Sequence, residues 1–170
     1  MRALVLAAFI AVAHSAVAES SPGRVIWDIP EAMRLIRTAD QVYVMPVKLS
    51  EKRHRAEISG TYTTVTPHGD FKRARQIVDR DARRKLQRLL GKDSSWCHCH
   101  DSTFGIGPEP QYVGFIFQRG KDKLVLLRFL RWHTDGTFNG ENTGGSLEEK
   151  ASDKLDEWEK RYARPERGFK

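Results

Sequence analysis

The chain of 170 residues is 39% hydrophobic and 30% charged, with 29 Lys and Arg against 22 Asp and Glu for a formal net charge of +7. That is enough apolar material for one core, and it excludes a collagen-like, low-complexity or wholly disordered chain. The positive excess is compatible with an anionic partner surface and says nothing about fold.

Met1-Arg2 gives a short positive start, Ala3 to Ala13 an unbroken apolar run of signal length, and Ala16-Val17-Ala18 a small-x-small cleavage site. The expectation is therefore a signal peptide over 1–18, export to the periplasm or medium, one domain over 19–165 and a flexible tail over 166–170. The apolar run is shorter than the roughly 20 residues that a bilayer span needs, and no later stretch approaches that length, so no transmembrane segment is expected.

Asp28-Ile29-Pro30-Glu31 reads as a helix start with Asp28 as N-cap, and Ile29, Met33, Leu35 and Ile36 then face inward. Gln41 to Leu49 alternates Val42, Val44 and Val47 as a strand that Pro46 marks as an edge or bulge, and residues 50–56 read as an exposed polar connection. Ile58 to Thr66 is a second strand, closed by the turn Pro67-His68-Gly69-Asp70, with an extended piece from Phe71 to Val78 after it.

Asp79 then caps a helix over 80–90, with Ala82, Leu86, Leu89 and Leu90 on its apolar stripe and Gly91 as its stop. Two apolar strands, 112–117 and 124–130, form a central hairpin through Arg119 to Asp122. A further strand over 131–138 precedes a loop over 139–145. Ser146-Leu147-Glu148-Glu149 reads as a capping box, opening a last helix with the stripe Leu147, Ala151, Leu155, Trp158 and Tyr162. Summed, the fold class is α+β, a single domain with a mostly antiparallel sheet of about four to six strands packed on one face by two or three helices.

Trp96-Cys97-His98-Cys99-His100-Asp101 is the one compact cluster of metal-capable side chains, and it holds both cysteines of the chain. In extended backbone, residues two apart are separated by about 6.6 Å, close to the roughly 6.8 Å limit for a disulfide, so a Cys97–Cys99 bridge requires a bend. Closing so small a ring is worth only about 1.6 kcal/mol of chain entropy. Three readings stay open: a bridge or simple thiols, a redox-active pair, or a Zn or Cu site using Cys97, Cys99, His98 and His100. In a straight segment the two thiolates face one side and the two imidazoles the other, so the metal would need a distant ligand such as His68 or His133.

His68 with Asp70, and His133 with Asp135, are loop pairs that could serve as base and orienter, although no hydrolase, P-loop or dinucleotide motif is present. Arg80, Arg83, Arg84 and Arg88 lie on the polar side of the 80–90 helix, preceded by Lys72, Arg73 and Arg75, and form a candidate anion-binding face for an anionic surface or acidic protein. No aromatic residues are interleaved for base stacking, which argues against nucleic acid.

The order of a short helix, a strand after Ala39-Asp40, a polar loop with Gly60, the 80–90 helix, a Cys after Trp96, an aromatic-alternating strand and a Val-Leu-Leu-Arg-Phe strand resembles a loosely defined set of small exported bacterial proteins of unknown function. The resemblance covers about residues 28–162 and implies a fold and no activity. In that set the segment after the central helix often reads Cys-x-Phe-x-Pro, and the later strand ends in Cys-Phe-x-Cys. Here Arg128 and Arg131 stand at those last cysteine positions, which takes the thiols away from them. The leading expectation is a non-enzymatic binding or structural domain; the alternative is a small metal-binding or thiol-redox protein built on the Cys97 to His100 cluster.

Overall fold

The apolar hairpin at the centre of the chain carries the architecture. The computed structural model describes residues 24–56, 60–98, 113–128 and 131–163. The leader, the tail, the turn over 105–110, Cys99 and His100 lie outside the described residues. Strands β1 (Arg24–Val25), β2 (Gln41–Ala56), β3 (Gly60–Gly69), β4 (Arg75–Gln76), β5 (Trp96–Cys97), β6 (Val113–Arg119), β7 (Asp122–Arg128), β8 (His133–Phe138) and β9 (Glu141–Leu147) join in one curled sheet. Helices α1 (Pro30–Thr38), α2 (Arg80–Leu90) and α3 (Glu149–Tyr162) complete an α+β fold.

The main path of the sheet runs β1-β9-β8-β7-β6-β2-β3, with β4 also on β2 and β5 also on β9. Every pairing is antiparallel except β1 on β9, where Arg24 is level with Thr143. Nine strands exceed the expected four to six: β9 replaces an expected loop, the two-residue β1 and β5 were not expected, and β2 runs longer than expected. The segment 139–145 is a strand and a tight turn, because Asn139 (φ 51°) and Gly140 (φ 92°) take the left-handed region and close a two-residue hairpin between β8 and β9. Residues 50–56 continue β2 instead of forming a connection, and Pro67, His68 and Gly69 are paired within β3. β2 can do this because it has two sets of partners: Gln41 to Pro46 pair with β6, and Val47 to Ala56 pair with β3.

The helix starts differ as well. Asp28 sits in a 3-10 turn and the N-cap of α1 is Ile29, without a side-chain cap. Ser146 belongs to β9, and α3 begins after Glu148, also uncapped by a side chain. In both places sheet pairing or a turn claimed the residues that capping chemistry would have used. Asp79 does cap α2, accepting from the amides of Asp81 (2.8 Å) and Ala82 (3.1 Å). The extended piece over 71–78 is a 3-10 turn, Phe71–Arg73, followed by the two residues of β4.

Alternation along the strands divides the apolar residues into two clusters. Val42, Val44, Phe115, Phe117, Leu124 and Leu126 join Leu35, Ile36, Leu86, Leu90, Leu155 and Trp158 from the three helices in the main core. Met45, Ile116 and Val125 form a smaller cluster with Tyr43, Ala74 and Leu127. Trp158 is pinned at both ends of its ring system: its indole N–H donates to Ala82 O (2.9 Å) and its ring meets Phe115 edge-on at 5.9 Å. No helix among the described residues is long and apolar enough to cross a membrane.

Candidate anion-binding face

Helix α2 buries Ala82, Leu86, Gln87 and Leu90 and leaves Arg80, Asp81, Arg84, Lys85 and Arg88 exposed. Leu89, expected on the buried stripe, is half-buried; Gln87 takes a buried place because its side-chain amide donates to Ala39 O (2.9 Å). Arg83 is half-buried and donates to Asp40 O (2.9 Å). These two bonds tie α2 to the chain just after α1. Of the four arginines named from the sequence, Arg84 and Arg88 therefore remain on the open face near the end of α2, Arg80 lies exposed at its start, and Arg83 acts as a structural tie.

The packing of α1 and α3 beside α2 adds cations that sequence spacing does not bring together. A hollow of about 470 Å³ is lined by Arg37 of α1 together with Asp81, Arg84, Gln87, Arg88, Gly91 and Lys92. A larger groove of about 1070 Å³ on the other side of α2 includes Lys85, Arg88, Lys92, Lys154 and Arg161 among its lining residues. Arg88 and Lys92 belong to both. Helix-dipole attraction explains Arg88 in the last turn, and the bond from Arg37 to Gly91 O (3.0 Å) explains Arg37. Neither accounts for Arg84, Lys85 or Lys154.

None of Arg37, Arg84, Lys85, Arg88, Lys92, Lys154 and Arg161 has a carboxylate ion-pair partner among the described residues. Lys48, by contrast, holds Asp70 at 2.9 Å and keeps its carboxyl below the usual range. The face around α2 thus carries more cations than carboxylates: Asp81, Asp93, Glu148, Glu149 and Glu157 also line the two hollows but make no ion pair with these cations among the described residues. Like charges at i and i+4, as at Arg84 and Arg88, cost a few tenths of a kcal/mol, a penalty that a bound anion removes.

The cysteine cluster resolves differently. Cys97 lies in β5 opposite Ser146 and is disulfide-bonded, so in this oxidised state its sulfur offers no thiolate to a metal or a substrate. Its neighbour His98 is exposed, with its ring 5.0 Å from that of Trp27 and its Nε2 3.6 Å from Asp93. Cys99 and His100 lie outside the described residues. No group of three or more metal-capable side chains occurs among the described residues.

His68 faces Ser50 Oγ (2.8 Å), while Asp70 is bound to Lys48. His133 does meet Asp135, with Nε2 to Oδ1 at 3.2 Å, and its Nδ1 is 3.5 Å from Ser146 Oγ, at the limit of a hydrogen bond. All three residues are on paired strands, not in a loop.

The largest departure from sequence reasoning is Arg128. It is fully buried, donating to Glu159 Oε1 (2.8 Å), Ser152 Oγ (2.9 Å) and Arg131 O (3.1 and 2.6 Å), with Asp156 Oδ1 2.7 Å away. Arg131 in turn bonds Asp153. Burial pushes the Glu159 carboxyl up to about 7 against the opposing pull of Arg128, and its Oε2 has no partner. A charge inside the run Leu124 to Leu130, and Ser152 and Glu159 seven residues apart on the buried stripe of α3, were the signals that could have revealed this network. No family model, no curated protein and no solved structure matches the chain.

Proposed function

We propose that this chain is an exported, non-enzymatic binding module, its helices gathered on one face of the sheet, which takes an anionic partner on the strip around α2. The carrying observation is that seven cations from three helices and the turn after α2, with Lys150 an eighth, share two adjoining hollows and have no carboxylate partner among the described residues. The signal-like leader and the likeness to small exported proteins support the compartment.

The test is retention on an immobilised heparin column, with heparin as a generic polyanion. Arg84→Gln with Arg88→Gln should elute at clearly lower salt than the parent, because each removed contact lowers the salt dependence of binding. A control pair of equal charge, Lys72→Gln with Lys121→Gln, should move elution much less. Equal losses from the two pairs would mean that net charge alone drives retention, and the reading would fail.

A further inference from the structure

We propose that the partner is a linear chain of phosphate groups laid across α2, from the hollow at Arg37 and Arg84 to the groove at Lys154 and Arg161, and not a single compact anion. This rests on the anion-binding reading and names its ligand class. Arg88 and Lys92 line both hollows and so stand on the ridge between them. One phosphate can be held by two or three side chains, and such a ligand would leave most of the strip repelling itself; a chain of repeated charges meets the cations in succession. Four of the seven are arginines, whose planar forks take phosphate oxygens two at a time.

The groove has carboxylates too, and their placement sets the route. Asp93, Glu148 and Glu149 lie where the segment after α2 meets the start of α3, at the end fixed by the bond from Glu148 N to Ser95 O (3.0 Å). Lys154 and Arg161 stand about one turn on either side of Trp158, away from that end, and beside α2 where the Trp158 indole bonds Ala82. A chain that leaves Arg88 and Lys92 for Lys154 and Arg161 starts beside Asp93 and passes Glu157, and the cations outnumber the carboxylates along it. The aromatic rings in the groove offer no stacking platform: Trp96 and Trp158 are 1% and 5% exposed, and Tyr162 carries Arg161 over its ring at 5.3 Å. A phosphate chain without bases therefore fits better than single-stranded nucleic acid.

The experiment measures binding of inorganic triphosphate, long-chain inorganic polyphosphate and an oligothymidylate of matched charge, compared at equal phosphate concentration, to the parent and to two variants whose unchanged melting temperature certifies folding. The long chain should bind roughly tenfold or more tighter than triphosphate, since successive contacts act as linked sites. Lys154→Gln with Arg161→Gln should weaken the long chain roughly fivefold or more while sparing triphosphate, because it removes only the far contacts. Arg84→Gln should weaken both. Triphosphate binding as tightly as the long chain, or indifference of the long chain to the Lys154 and Arg161 pair, with Arg84→Gln still effective, overturns the linear-chain proposal and leaves the anion-binding reading standing. Oligothymidylate binding tighter than polyphosphate overturns the choice of polymer. Binding of none of the three probes sinks both readings.

Discussion

Glu159→Gln is expected to flatten the pH dependence of stability that this one carboxyl imposes. Two arginines, Arg128 and Arg131, face three carboxylates, Asp153, Asp156 and Glu159. Asp153 and Asp156 already balance the charge, and Glu159, buried with an unpartnered Oε2, is the surplus anion. Its pKa in the fold is about 7 against an ordinary value of 4.5, so the folded state holds its proton more tightly than the unfolded chain does. The stability linked to that proton is therefore fully present below about pH 4.5 and is lost as pH rises through about 7. At about 1.4 kcal/mol per pKa unit the whole span is worth about 3 kcal/mol. Urea unfolding of parent and variant across this range, read as a difference so that other carboxylates cancel, gives the measurement. The two proteins should be nearly equal near pH 4.5, and the variant should be more stable at pH 8 by about 2 to 3 kcal/mol. A parent that is the more stable of the two at pH 8 would show that Arg128 outweighs burial and that the surplus-anion argument is wrong.

Arg128→Ala should be far more damaging, about 3 to 5 kcal/mol by denaturant unfolding at neutral pH, because buried Glu159 is left without its cation and Asp156 keeps only Arg131 at 3.8 Å. Gly136→Ala should cost at least about 3 kcal/mol, since a Cβ there would lie 1.9 Å from Val125 O and must push β8 off β7; a melting temperature close to the parent's would contradict the register. Asp79→Ala should cost about 1 kcal/mol by the same unfolding assay through loss of the two amide contacts at the start of α2. Cys97→Ser with Cys99→Ser should lose at most about 2 kcal/mol, and a stoichiometric metal signal in the parent, absent from the variant, would promote the metal reading instead.

What the sequence showed well was local and periodic. The 80–90 helix with its Asp79 cap, the hairpin of β6 and β7 and the stripe of Ala151, Leu155 and Trp158 follow from spacing alone, and apart from Leu89 and Gln87 of the helix their side chains are buried as that spacing requires. What it hid was decided by pairing at a distance. The polar residues of 50–56 carry no apolar alternation to announce a strand, and it is β3 that holds them in one. The Asn139-Gly140 signal was present within an expected loop over 139–145 rich in Gly and Asn, where Gly144 is needed for close backbone contact. At the candidate site, Arg84 and Arg88 were visible as an exposed helical face, whereas Arg37, Lys154 and Arg161 join them only through the way α1 and α3 lie against α2.

The one parallel pairing in the sheet ties the first described strand to the last. Thr143 donates its hydroxyl to Arg24 O across 119 positions of sequence, and β5 also finds its partner only in β9. A chain emerging from its N-terminus thus has no partner for β1 or β5, nor for the outer edge of β8, until 141–147 have been made. The β2–β3 hairpin can close early, but the sheet itself is completed by a closure across 119 positions of sequence, which slows folding. Such an order of assembly leaves β1, β5 and the outer edge of β8 waiting on 141–147, while β2, β3, β6, β7 and β8 can pair before that segment has been made.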